Sequence, residues 1–234
     1  MLREESSSVA TGGRKITTRL SLPAGGLDAA PALVVLAHGQ ESGMEHPLLE
    51  AVAQTLAGGG FAVVRFNFPF REAGRKNPDP PPRLEACWLA VTDTLRERIE
   101  GRRIPLVVGG KSLGGRVAAQ LVSDGVLAAA ALVFLGYPLH RPGEEPDLHA
   151  APLRGVTAPM LFVCGARDRM CRLELLERVL RAGRAPFTIR AVEGCEQRLE
   201  VPRRFAPEAA PTAFYGAIAA DVLAWLRKTL RRRR

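Results

Sequence analysis

The chain predicts a doubly wound α/β fold with a mostly parallel central sheet and helices on both faces, on three observations. Short apolar runs recur along it, stretches of helical spacing separate them, and one glycine-flanked serine stands where a run passes into a helix. The runs are ALVVLAHG (32–39), FAVVRFNFP (61–69), IPLVVGG (104–110), AALVFLGYP (130–138), PMLFVCG (159–165) and FTIRAVEG (187–194). Their continuous rather than alternating hydrophobicity predicts strands buried on both faces, as in a parallel sheet. Leu84, Cys87, Val91, Leu95 and Ile99 recur at three- and four-residue intervals and predict one amphipathic helix; Phe214, Ile218, Val222 and Trp225 predict another. Ahead of the first run, KITTRLSLP predicts an antiparallel edge strand entering the sheet. Segments 71–83 and 140–155, rich in proline and charge, are expected to be loops above the carboxyl edge of the sheet, where α/β folds bind ligands.

At 234 residues, one domain over 1–234 is the expectation, with a short basic tail at about 227–234. The formal charge is +9 and almost wholly arginine, since the only lysines are Lys15, Lys76, Lys111 and Lys228. A terminal run such as RKTLRRRR suits nucleic acid or anionic lipid, but no aromatic residue interleaves with it to stack on bases. A solvated tail is therefore the favoured reading, and nucleic acid the weak one. No stretch approaches the roughly 18 apolar residues of a membrane span, and the first twenty residues lack a signal-peptide core. Cys87, Cys164, Cys171 and Cys195 form no C-x-x-C pair and no zinc-like spacing. The expectation is a cytoplasmic protein with free thiols, no metal and no cofactor.

PLVVGGKSLGGRVAAQL (105–121) raises three readings for Ser112: a nucleophile, part of a phosphate loop, or a structural turn. A phosphate loop needs glycine five positions before Gly-Lys-Ser, where its amides wrap phosphate. That position is Pro105, which has no amide to offer, and the strand runs straight into the glycines. The G-x-G-x-x-G dinucleotide pattern fails too, because Lys111 and Ser112 stand where it needs glycines. Gly110-Lys111-Ser112-Leu113-Gly114 does match G-x-S-x-G, a strained strand-to-helix turn that exposes a serine hydroxyl above the sheet. The strand before it and the helix after it favour this nucleophile elbow over a structural turn.

LAHGQESGMEHP, FNFPF, GGKSLGGR, LGYPLHRPG and CGARD follow in this order along the chain. Together they resemble the small dienelactone-hydrolase-like α/β-hydrolases, including the branch of a testis-expressed protein and a subunit of the non-specific lethal acetyltransferase complex. The resemblance runs from about residue 12 to 230. It implies an α/β-hydrolase fold with a minimal lid and serine-hydrolase chemistry on esters, lactones or other acyl substrates. Ser112 is then the nucleophile, Asp168 the acid, and the amides of Gln40 and Leu113 the oxyanion hole. Such amides each stabilise the tetrahedral intermediate by roughly 3–4 kcal/mol. The rival reading of Asp168 is a cap on the following helix, RLELLERVLRAG.

The resemblance also implies a histidine after the last strand, in a Gly-x-Asp-His-type turn. Here the turn reads EGCEQRLEVPRR, with Gln197 at that position, and no histidine follows His149. Glutamine does not titrate near neutrality and cannot take the serine proton. Losing a triad base typically costs on the order of 10⁶ in turnover, leaving roughly 10³–10⁴ over water. The expectation is a serine-hydrolase-type protein with impaired activity on a small-molecule acyl substrate. The alternative is a non-catalytic binding or scaffolding protein that uses the old pocket for a small-molecule ligand or the arginine-rich surface for a protein partner. His140, at the same sheet edge as Ser112, is the first candidate for a replacement base. His38 is expected to brace the oxyanion loop, His46 and His149 to sit in loops, and Glu196 and Cys195 to flank the vacancy.

Overall fold

The computed structural model describes residues 3–99, 102–140, 147–200 and 210–231. Eight strands form one sheet in the order β1-β2-β4-β3-β5-β6-β7-β8. They are β1 (Arg3–Thr11), β2 (Arg14–Leu22), β3 (Leu33–Ala37), β4 (Ala62–Phe66), β5 (Leu106–Lys111), β6 (Ala131–Leu135), β7 (Met160–Gly165) and β8 (Phe187–Val192). From β4 to β8 every neighbouring pair is parallel, and β1 and β2 join antiparallel at one side.

The sheet is buried on both faces because its central strands alternate between two cores. In β3, Leu33, Val35 and Ala37 face one core while Val34 and Leu36 face the other. The first core is closed by α3 (Pro81–Arg98), α4 (Leu113–Ser123), α5 (Asp147–Gly155) and α6 (Leu173–Arg181). The second is closed by α1 (Pro47–Gly58) and α7 (Ala210–Arg231), through Leu48, Val52 and Leu56 on one and Ile218, Val222 and Leu226 on the other. Both predicted helical stripes are realised, on α3 and α7. The strand β8 departs from the expectation of two-sided burial: it is the sheet's edge and only half buried.

Three expectations are corrected. KITTRLSLP is not the edge strand, because β1 pairs along its whole length outside β2, from Arg3 opposite Leu22 to Thr11 opposite Arg14. Its sequence, REESSSVAT, adds only Val9 and Thr11 to the buried set, so backbone pairing holds it with almost no hydrophobic signal. Ion pairs help: the buried Arg65 reaches Glu4 at 2.8 Å and Arg98 of α3 reaches Glu5 at 2.8 Å. Segment 71–83 is not all loop, since α2 (Pro69–Glu72) runs into its start and α3 begins at Pro81. Segment 140–155 contains α5, whose helical spacing is masked by the internal Pro152; residues 141–146 lie outside the described residues.

The basic run at 227–234 is likewise helical as far as Arg231, with 232–234 outside the described residues. Among the described residues, no helix is long and apolar enough to cross a membrane.

Candidate active site

Ser112 sits between the last residue of β5 and the first of α4 with φ 48° and ψ −112°, a conformation disfavoured for a residue with a side chain. The local sequence makes the turn possible. A Cβ at Gly110 or at Gly114 would collide with the Ala37 backbone, so only glycine lets α4 and β3 close on the turn. The Gly114 amide donates to the His38 carbonyl at 3.1 Å, and the Ser112 amide to the Leu135 carbonyl at 3.1 Å. The strained residue is thus pinned from β3 on one side and β6 on the other.

The loop after β3 approaches Ser112 closely: a Cβ at Gly39 would lie 3.3 Å from the Ser112 Cβ. His38, fully buried, braces this loop as expected. Its Nε2 accepts from the Phe68 amide at 3.0 Å, which leaves the proton on Nδ1 to donate to the Gly39 carbonyl at 2.6 Å. That carbonyl belongs to the same peptide plane as the Gln40 amide, so the imidazole fixes the direction in which the Gln40 N–H points. Burial holds the His38 pKa down, to about 4, with Arg71 contributing, so the ring is neutral at neutral pH. Asn67 adds a second brace, its Oδ1 accepting from the Met44 amide at 2.8 Å.

Asp168 lies in the turn after β7, 5% exposed. It does not cap α6, whose N-cap residue is Arg172, so the capping alternative is set aside. Its Oδ1 accepts from the Met170 amide at 2.7 Å, while its buried Oδ2 has no hydrogen-bond partner among the described residues. Burial pushes its pKa up, to about 6, against the amides of Met170 and Cys171 and a favourable interaction with His140. His140 is buried alongside, its own amide donating to the Met170 carbonyl at 3.1 Å. Asp168 and His140 therefore hold the two ends of one residue, Met170.

The loop bearing Gln197 lies across the ends of β6 and β7. The Arg167 amide donates to the Cys195 carbonyl at 2.9 Å, and Gly136 is required because a Cβ there would run into the Gln197 carbonyl. Gln197 itself donates from Nε2 to the Gly136 carbonyl at 3.0 Å. Ser112 and Gln197 are therefore bound to consecutive carbonyls, Leu135 and Gly136. An exposed ion pair, Arg198 to Glu41 at 2.7 Å, links the residues that follow Gln197 and Gln40. Lys111, buried next to Ser112, has its ammonium held below the usual lysine range by burial, with Glu200 and Glu41 opposing.

The remaining histidines stand further back. His46 occupies the N-cap position of α1, its Nδ1 accepting from the Leu48 amide at 3.2 Å. His149 is in α5 rather than a loop, where its carbonyl accepts from the Tyr137 hydroxyl at 2.8 Å. The four cysteines are buried free thiols, and among the described residues no trio of His, Cys, Asp or Glu is grouped to hold a metal ion. The Met170 clamp and the Asn67 brace went unpredicted, because both depend on contacts between distant segments rather than on a motif.

A strained serine on the elbow between a central parallel strand and a helix, in a sheet of this order, defines the α/β-hydrolase fold. The chain belongs to the family described as "Alpha/beta hydrolase domain", whose model matches residues 30–210. Among solved structures it is similar to the dienelactone hydrolase of Anabaena variabilis, with a TM-score of 0.75 and 22% identity over 97% of this chain and 98% of that one. It is also similar to an α/β serine hydrolase without a lid from Xanthomonas campestris, with a TM-score of 0.70 and 16% identity over 98% of this chain and 94% of that one. At these identities the likeness is one of fold. Two strains of Mycobacterium tuberculosis supply a relative named "Putative phosphoribosyl transferase", 28% identical over 203 residues. That match takes in 86% of this chain and 43% of the relative, so the chain spans less than half the relative's length.

Proposed function

We propose that the protein is a serine-hydrolase-type domain for esters, lactones or related acyl compounds, working in the cytoplasm, whose turnover is held low by Gln197 at the base position. Ser112 is its nucleophile, Asp168 its acid, and the Gln40 and Leu113 amides its oxyanion hole. One observation carries this reading. Asp168 Oδ2 is a buried acceptor without a partner among the described residues, while the Gln197 side chain donates elsewhere, to Gly136. In a complete triad that carboxylate oxygen accepts the base's N–H.

Attack by Ser112 Oγ on an acyl carbon puts negative charge on the carbonyl oxygen, which the two amides stabilise. The hydroxyl proton must leave in the same step, and an amide side chain does not accept it. The nucleophile half of the reaction is supported and the proton half is not, which predicts a slow, Ser112-dependent rate. Phosphoribosyl transfer is not part of this reading, since the match takes in only 43% of the relative so named.

A second reading rests on His140. Its buried ring interacts favourably with the buried Asp168, which suits an imidazole–carboxylate pair serving as a relocated base. The test is hydrolysis of a short p-nitrophenyl ester by wild type and Ser112→Ala, side by side. A wild-type rate above the variant supports the hydrolase reading, and equal rates transfer the pocket to a ligand-binding role. His140→Ala abolishing the Ser112-dependent rate while Gln197→Ala spares it would establish the relocated base; equal effects would remove it.

A further inference from the structure

We propose a second ligand site at the amino edge of the sheet, built to take a small phosphorylated molecule with an apolar body. A cavity of about 890 Å³ opens there between the starts of the central strands and the end of α7. Arg103, from the segment leading into β5, and Arg227 and Arg231, from the last turns of α7, converge on it. Phe61, Pro31 and Leu230 supply apolar wall, and no acidic residue lines it among the described residues. The volume suits a drug-sized ligand. Three guanidinium groups suit phosphate, which their planar forks bind in pairs of hydrogen bonds.

The charge here is uncompensated by any ion pair among the described residues. Arg102, one residue from Arg103, pairs with Asp28 at 2.5 Å. Among the described residues Arg103 and Arg231 make no ion pair, and Arg227 donates only to the Gly59 carbonyl, at 3.1 Å, which fixes it at the cavity. The neighbouring cavity across α7, about 520 Å³, contrasts with it: Asp221 lines it together with Arg190 and Lys228. Arginines in the last turn of a helix also complement its dipole. That effect accounts for Arg227 and Arg231 without a ligand, but it accounts neither for Arg103, on another segment, nor for the hollow between them.

The site is separate from the elbow. Pro105 lines the cavity and Ser112 stands at the far end of β5, about 20 Å away at the rise of an extended strand. The inference therefore stands or falls independently of the hydrolase reading.

Titration calorimetry of the full chain with adenosine monophosphate, phenyl phosphate, adenosine and a single-stranded DNA oligonucleotide tests it. The expected result is saturable one-to-one binding of at least one of the two phosphates and none of adenosine. The Arg103→Ala/Arg231→Ala double variant should bind that phosphate roughly tenfold more weakly or worse, with an unchanged unfolding temperature. Neither replaced arginine bonds to another described residue, so the fold is not at stake. Absence of saturable binding by both phosphates, or equal binding by the double variant, would overturn the proposal. Binding of the oligonucleotide alone would overturn it in favour of a polymer-binding face.

Discussion

The two halves of the carboxyl edge have been built to different standards. On the β3–β5 side the turn around Ser112 is held closely: the elbow glycines admit Ala37, the Gly114 amide meets His38, and both nitrogens of the His38 ring are occupied. On the β6–β8 side Asp168 keeps a buried oxygen unpaired, and Gln197 is turned onto a backbone carbonyl. The difference follows from what each half depends on. The nucleophile turn is held by backbone packing that many contacts over-determine. In the function proposed above, the proton-handling half depends on a single imidazole, and glutamine at 197 removes that chemistry while leaving a loop anchored to Gly136.

Substitutions on either side test this contrast. The largest effect on folding is expected from Gly110→Ala, because the new methyl would meet the Ala37 backbone and the residue holds a φ of 138° that favours glycine. A loss of about 3–5 kcal/mol in denaturant unfolding is predicted, and a loss under about 1 kcal/mol would show that the turn is not over-determined. Next comes His38→Leu, which leaves the buried Phe68 amide without its acceptor. About 2–3 kcal/mol is expected, and any Ser112-dependent activity should fall further than this, since the Gln40 peptide loses its clamp. Neither effect should accompany Gln197→Ala, whose removed bond is a single half-buried one.

The smallest effect is read in the pH dependence of stability. Asp168 has its folded pKa raised from an ordinary 3.8 to about 6, so the folded protein binds the extra proton between those values. Its contribution is full below about pH 4 and lost as pH rises to about 6, amounting to about 1–3 kcal/mol. His38 and His46, held down to about 4 from 6.5, act with the opposite sign, their contribution being lost as pH falls through that range. Asp168→Asn isolates the carboxyl. The variant should gain on the wild type as pH rises from 4 to 6, and a difference independent of pH would mean that Asp168 is not strained in its site.

Much of the architecture was legible because it rests on apolar runs: each of the six predicted runs marks one of the strands β3–β8, with β5 running one residue past its run, to Lys111. The strand β1 was not, since a polar strand held by ladder bonds and charge leaves no hydrophobic pattern, and α5 was hidden by Pro152. At the site, Ser112 and the glutamine at 197 could be read from short motifs with their flanks. The double hydrogen bond of His38, the shared hold of Asp168 and His140 on Met170, and the Gln197 bond to Gly136 could not. Each joins segments tens of residues apart, which no local spacing encodes.

The central claim is that one missing imidazole separates this site from a working hydrolase. The direct measurement is p-nitrophenyl ester turnover by Gln197→His, with Gln197→His/Ser112→Ala as its control and circular dichroism to confirm the fold. A gain of roughly 10³-fold or more over wild type, lost in the double variant, is the predicted result. A folded Gln197→His protein that turns over ester no faster than wild type would contradict it.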